Sequence, residues 1–188
     1  MLSTVTPPEE GGLGLSTVTP PEEGGLGLST VTPPDRSGDG AGFHYRALER
    51  LYASAPINQL FRSKLAIEDE GRSRIDFAIT PETFHAAGAA HGTVYFKMLD
   101  DAAFYAANTL VTDRFLLTTS FNLHFTRPVR AGDVVAQGRW ISGRRRVLVA
   151  EAWLIDEEGE MIGRGTGTFM RSHIGLSGLP GYAPGISE

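Results

Sequence analysis

Residues 92–110 contain no proline, and no glycine after Gly92. Val94, Met98, Leu99, Ala102, Ala103, Tyr105 and Ala106 are spread through this stretch in a pattern compatible with a helix. So much of the run is apolar that the helix must be largely buried. Its alanines would let it lie close against a sheet.

The following sequence supplies that sheet. Residues 115–126 alternate Leu117, Thr119, Phe121, Leu123 and Phe125 against Thr118, Ser120, Asn122 and His124. Residues 134–141, 145–155 and 161–170 read as three further strands. Turns at Arg130-Ala131-Gly132-Asp133, Ser142-Gly143 and Asp156-Glu157-Glu158-Gly159 separate them. Upstream, residues 43–53 suggest a short amphipathic helix that Pro56 ends. Residues 61–68 read as a first strand. Residues 72–80 place Ile75, Phe77 and Ile79 on one face and Arg74 and Asp76 on the other, a half-buried strand. Residues 81–90 read as a loop. One buried helix against a meander of antiparallel strands is an α+β pattern.

The two ends are composed differently. LSTVTPPEEGGLG fills residues 2–14, repeats without change at 15–27, and restarts at Leu28. A unit of Leu and Val among Pro, Gly and Glu has too little apolar surface to offset its ordering entropy. The expectation is a disordered segment over 1–41, a folded domain over 42–171 and a flexible Gly/Pro-rich tail over 172–188. A partner-binding tail is the functional alternative for the repeats.

Residues 1–40 carry the whole formal charge of -5. The remainder balances 16 basic and 16 acidic groups, which gives no general reason to expect nucleic-acid binding. The sequence holds no cysteine, which excludes disulfides, thiolate catalysis and Cys-ligated zinc. No basic-then-apolar leader opens the chain, and no apolar run approaches the ~20 residues of a membrane span. The expected location is the cytoplasm.

Four pieces of sequence carry a family resemblance. They are Ala55-Pro56-Ile57-Asn58; HGTVYFKMLDDAAFYAAN at 91–108; FNLHFTRPVRAGD at 121–133; and the Asp156-Glu157-Glu158-Gly159 hairpin before a Gly/Thr-rich strand. In this order and spacing, residues 43–171 resemble the hotdog-fold thioesterases of the phenylacetate-degradation, PaaI-like, group. The resemblance implies a five- or six-stranded antiparallel sheet wrapped around the central helix. It also implies a homodimer with one continuous sheet, often paired into a homotetramer. The implied activity is acyl-CoA hydrolysis with no metal and no cofactor, coenzyme A entering only as part of the substrate.

Candidate residues follow. Gly92 opens the helix, where a free N–H and the helix dipole suit a developing oxyanion. Asp100 sits among apolar neighbours, where an acid needs a reason. It would be general base or nucleophile. Eight residues of helix separate the two by about 12 Å. One carbonyl cannot touch both within one chain, so if both are catalytic Gly92 of one subunit must work with Asp100 of another. Asp101 competes for the role of Asp100 but has Lys97 four residues before it as a surface partner. His91 would orient the loop and helix start.

Thr93 stands where relatives more often have a second glycine, and can narrow the pocket. His85 stands where relatives often carry Asn, and would add a group titrating near neutrality. Thr118 falls where relatives place a hydroxyl near the water; otherwise it is an ordinary strand threonine. Phe96 is a candidate pocket wall. Arg127, Arg130 and Arg145 are candidates for the CoA phosphates, although turn charges are commonly just solvated. Two other readings remain: an acyl-CoA-binding hotdog protein without catalysis, and a hotdog hydratase or dehydratase. No His follows Asp100 within the helix, which counts against the second.

Overall fold

The computed structural model describes residues 39–183. The 13-residue repeats and residues 184–188 lie outside the described residues, so the expectations of disorder that fall there are not addressed.

The elements run α1 (Asp39–Ser54), α2 (Pro56–Phe61), β1 (Lys64–Asp69), β2 (Arg72–Ile79), α3 (Gly92–Asn108), β3 (Arg114–Phe125), β4 (Gly132–Ser142), β5 (Val147–Asp156) and β6 (Met161–Gly175). All six strands form one antiparallel sheet in the order β1-β2-β4-β5-β6-β3. α3 packs against β2 through β6. Met98, Leu99, Ala102, Ala103, Ala106 and Ala107 are completely buried, as expected of an enclosed helix. Each large apolar side chain removed from water there contributes about 1.5–3 kcal/mol.

The small residues do set the helix-to-sheet distance. A Cβ on Gly138 would fall 2.1 Å from the Ala102 carbonyl oxygen. That oxygen also accepts the Ser73 hydroxyl at 2.6 Å. No side chain larger than hydrogen fits at Gly138. Among the described residues, no helix is long and apolar enough to cross a membrane.

Four local expectations change. First, the strands are not a simple meander. β3 pairs with β6 at the sheet edge, and residues 126–131 carry the chain across to β4, which lies between β2 and β5. The Arg130–Asp133 turn is therefore part of a crossover and not of a hairpin.

Second, β3 does not keep one alternation. Thr118 pairs with Phe169 and Ser120 with Thr168, leaving Thr119 as an extra residue in the ladder. This β-bulge changes the parity of the strand. Leu116 is buried and Thr118 reaches α3 before it; Phe121 and Phe125 pack on α3 residues after it. Leu117, expected on the apolar face, is 48% exposed.

Third, Pro56 ends α1 but also starts α2 as its first residue, so β1 begins at Lys64 and not at Phe61.

Fourth, residues 172–183, expected to be part of a flexible tail, are built into the fold. β6 continues to Gly175, and Leu176 and Tyr182 are buried. The buried His44 imidazole anchors this end. Its Nε2–H donates to the Asn108 carbonyl oxygen at 3.0 Å, and its Nδ1 accepts the Tyr182 hydroxyl at 2.7 Å. Burial pushes the His44 pKa down, which keeps that ring neutral. Composition could not reveal this, because the partners are 138 residues apart. At the other boundary, α1 begins at Asp39, three residues before the expected start.

Candidate active site

Two groups of expected residues assemble, at two levels of α3. The first is its N-terminus. His91 caps the helix: its Nδ1 accepts the Thr93 backbone N–H at 3.1 Å and lies 3.0 Å from the Thr93 hydroxyl. Among the described residues, the Gly92 N–H meets no acceptor. It is one of the orphan donors of a helix start, aligned with the positive end of the dipole. A Cβ on Gly92 would meet the Phe125 ring at 3.1 Å, so glycine lets β3 close over this end.

The residue 126–131 crossover fixes the approach. The Ala90 N–H donates to the Val129 carbonyl, and the Val129 N–H donates to the Tyr95 hydroxyl at 2.8 Å. No sequence signal marked Tyr95 for this task.

Beside this end lies a cavity of about 410 Å³. His91, Thr93 and Val94 of the helix start form one side, and Leu60, Phe61 and Arg62 form another. Thr80, Thr83 and Phe84 contribute from the loop after β2. Such a size and mixed lining suit a small-molecule group.

The second level is the turn of Asp100. This carboxylate is partly buried, and its Oδ1 accepts the Thr118 hydroxyl at 2.9 Å. Burial pushes its pKa up to about 6, and neighbouring Asp101 adds to the rise. The Thr118 hydrogen bond and Lys97 pull the other way without cancelling it. The bulge in β3 turns Thr118 toward the helix; without it, the sequence alternation would point this hydroxyl away.

Asp101 is spoken for. Lys97 pairs with it, as the four-residue spacing predicts. The pair is not on the surface, however: the two side chains are 12% and 22% exposed. Lys97 Nζ also donates to Asn58 Oδ1 at 2.6 Å. Burial of Lys97 and Asn58 was not legible from the sequence.

The remaining expectations divide. Thr93 lines the cavity. Phe96 is 42% exposed and stands edge-on to Phe121, outside the cavity lining. His85 is exposed, and its Nδ1 accepts the Ala87 N–H at 3.0 Å, closing its own loop. Within one chain it is not brought to Asp100.

Arg127 pairs with Asp156 at 2.7 Å, and Arg130 lines a shallow cleft beside it. Arg145 is exposed in the turn beyond the other end of β4. Eleven residues of strand separate these arginines by roughly 35 Å. They cannot all hold the phosphates of one CoA within one chain. The sheet register assigns them to opposite levels. Phe125, which covers Gly92, pairs with Gly163 near the Arg127 end; Thr118, bonded to Asp100, pairs with Phe169 near the Arg145 end. Among the described residues, no three His, Asp or Glu side chains group as metal ligands would.

Comparison with known proteins agrees with this architecture. Residues 87–162 match the thioesterase superfamily. A protein of Saccharolobus solfataricus with an esterase assignment is 26% identical over 102 residues, covering 54% of this chain and 68% of that one. The transcription factor FapR of Shouchella clausii is 34% identical over 110 residues, covering 56% of this chain. This chain spans 55% of the length of FapR, little more than half. The E. coli PaaI protein, from the phenylacetic acid degradation operon, superposes with a TM-score of 0.64 at 17% identity, over 71% of this chain and 98% of PaaI. The chain has the hotdog fold, built on the same plan as the E. coli PaaI protein, and its residues 87–162 are similar to the thioesterase superfamily.

Proposed function

We propose that this protein hydrolyses acyl-CoA thioesters to the free acid and coenzyme A, in a site shared between two copies of the chain. The observation that carries the reading is Asp100. It is a carboxylate partly drawn out of water, held by one hydroxyl, with its pKa raised to about 6. An ordinary buried acid would have a cationic partner; Asp100 has Thr118. A base of this strength is ionised at neutral pH and accepts a proton more readily than a free aspartate.

In the proposed reaction Asp100 takes a proton from water as its oxygen attacks the thioester carbonyl carbon. The carbonyl oxygen becomes an oxyanion and meets the Gly92 N–H of the second subunit. The C–S bond then breaks as the oxyanion collapses to the acid's carbonyl, the departing sulfur takes the proton from Asp100, and CoA leaves as the thiol with Asp100 restored as a carboxylate. The about 12 Å of helix between Gly92 and Asp100 is what requires two chains. The cavity beside His91 and Thr93 takes the acyl group in this reading. Asp100 as a nucleophile remains the variant route. Single turnover in heavy-oxygen water separates the two, because direct water attack labels the released acid and an anhydride first delivers the unlabelled oxygen of Asp100.

A second reading, acyl-CoA binding without hydrolysis, draws on the likeness to a transcription factor. One assay decides between them: thiol release from short, medium, long and aryl acyl-CoAs, beside Asp100→Asn. The proposal expects release by wild type and almost none by the variant. Tight acyl-CoA binding with no release would favour the second reading.

A further inference from the structure

The wall of the cavity made by α2 and the residue after it is held in an unusual way. α2 has six residues, and Asn58 is the buried one among them. Ile57 is 51% exposed and Leu60 is 74% exposed. Leu60, Phe61 and Arg62 nevertheless line the cavity. An element with so little buried apolar surface is not fixed by packing alone.

Hydrogen bonds to the rest of the fold supply what packing does not. Asn58 Nδ2 donates to the Tyr52 carbonyl oxygen of α1 at 2.8 Å. Asn58 Oδ1 accepts from Lys97 Nζ of α3 at 2.6 Å. The Lys97 ammonium is paired in turn with Asp101 and lies 5.5 Å from the centres of both the Tyr52 and Phe61 rings. A largely buried ammonium needs acceptors, and Asn58 and Asp101 provide them. The backbone continues the linkage: the Arg62 N–H donates to the carbonyl oxygens of Asn58 and Gln59, and the Ser63 N–H to that of Asn58. Directional bonds of this kind fix a distance and an orientation, whereas apolar contact on so small a helix would let it slide. The Asp100 reaction uses neither Asn58 nor the acceptor set of Lys97.

We propose that Asn58, Lys97 and Asp101 are positioning residues that hold α2 as the wall of the acyl cavity and thereby set which acyl groups the protein accepts. The acyl-selectivity part rests on the thioesterase reading; the anchoring part does not.

The test uses the full chain and the variant Asn58→Ala, with Asn58→Asp restoring the oxygen that Lys97 needs but not the N–H that the Tyr52 carbonyl accepts. Amide hydrogen exchange reads the anchor directly. The Arg62 and Ser63 amides should exchange at least about tenfold faster in Asn58→Ala, and Asn58→Asp should recover only the part of the protection that the Lys97 bond supplies. Exchange at the wild-type rate in Asn58→Ala overturns the proposal, whether or not the protein releases CoA. Kinetics read the consequence. KM for the preferred acyl-CoA should rise about tenfold in Asn58→Ala while kcat stays within about twofold, and the ranking of acyl groups should change. An equal fall of kcat for every substrate, with the ranking intact, overturns it as a purely structural effect.

Leu60→Ala lies on an exposed side chain and does not threaten folding. It should broaden acyl selectivity; an unchanged profile overturns the role of α2 as the wall. If wild type hydrolyses no acyl-CoA, the thioesterase reading fails, and the exchange result still decides the anchor.

Discussion

Asp100 and Glu151 are two carboxylates withdrawn from water on opposite faces of one sheet, and the fold treats them in opposite ways. On β5, Leu148, Ala150, Ala152 and Leu154 face α3 and are completely buried, so Glu151 points to the outer face. There Arg139 and Arg164 both bond it, the latter at 2.8 Å, and Trp153 and Gln137 pair beside them. The Arg164 hydrogen bond, assisted by Arg139, holds the Glu151 pKa below the ordinary glutamate value although burial opposes it. Asp100 has one hydroxyl partner, and burial lifts its pKa to about 6. Glu151 is neutralised and serves the sheet. Asp100 is left unneutralised, at an energetic cost the fold bears without structural return, which is the pattern of a group kept for chemistry.

Substitution should separate the two sharply. Asp100→Asn should lower kcat for CoA release by roughly 10²–10⁴-fold, the usual contribution of a general base. It should also stabilise the fold. A raised carboxyl pKa means that ionisation costs stability above the ordinary value of 3.8, increasingly until the native value near 6 is passed. Thermal melts should therefore show the variant about 1–3 kcal/mol more stable at pH 8 and no better below pH 3.8.

Glu151→Gln should do the reverse. Its lowered pKa contributes stability that is present above the ordinary value of 4.5 and is lost as pH falls through the native value. Denaturant titration at neutral pH should show a loss of roughly 1–3 kcal/mol, shrinking in acid, with kcat unchanged in the folded protein. Loss of activity without loss of stability in this variant would break the comparison.

The smallest effect should come from Thr118→Val. Removing the hydroxyl removes a bond that favours ionised Asp100, so the acidic limb of the pH–rate profile should move to higher pH. A loss of roughly threefold at pH 6 that fades by pH 8 is the expected result. An unmoved limb would mean that the bond to Asp100 does not matter in the working enzyme.

Much of this was legible in the sequence, for physical reasons. The α3 run is long and apolar, and most strands alternate cleanly, so class, helix and sheet followed from periodicity. The spacing of His91-Gly92 and Asp100 carried the half-site argument, because helix rise is a fixed quantity. The bulge at Thr119 was not legible. A one-residue insertion leaves the alternation of polar and apolar letters intact while reversing their faces, so Thr118 was matched to the water by resemblance against its apparent orientation. α2 is too short for a periodic signal. The Asn58–Lys97 bond and the Tyr182–His44 anchor join residues far apart in the chain, and no local pattern encodes them. The separation of Arg127 from Arg145 depends on strand order, which the meander reading had wrong.

The central claim is that Asp100 of one chain works with Gly92 of another. Gly92→Pro removes the candidate oxyanion N–H at a helix position where proline is tolerated; its Cβ would press on the Phe125 ring, so Phe125→Ala accompanies it in the same chain, with Phe125→Ala alone as the active control. Asp100→Asn removes only the base. The Gly92→Pro chain and the Asp100→Asn chain should each be nearly inactive alone, and the two should be unfolded together, refolded as a mixture and assayed for CoA release. A random mixture of dimers holds one intact shared site in every mixed pair, so activity should return to about a quarter of wild type. A mixture no more active than its two components would contradict the shared site.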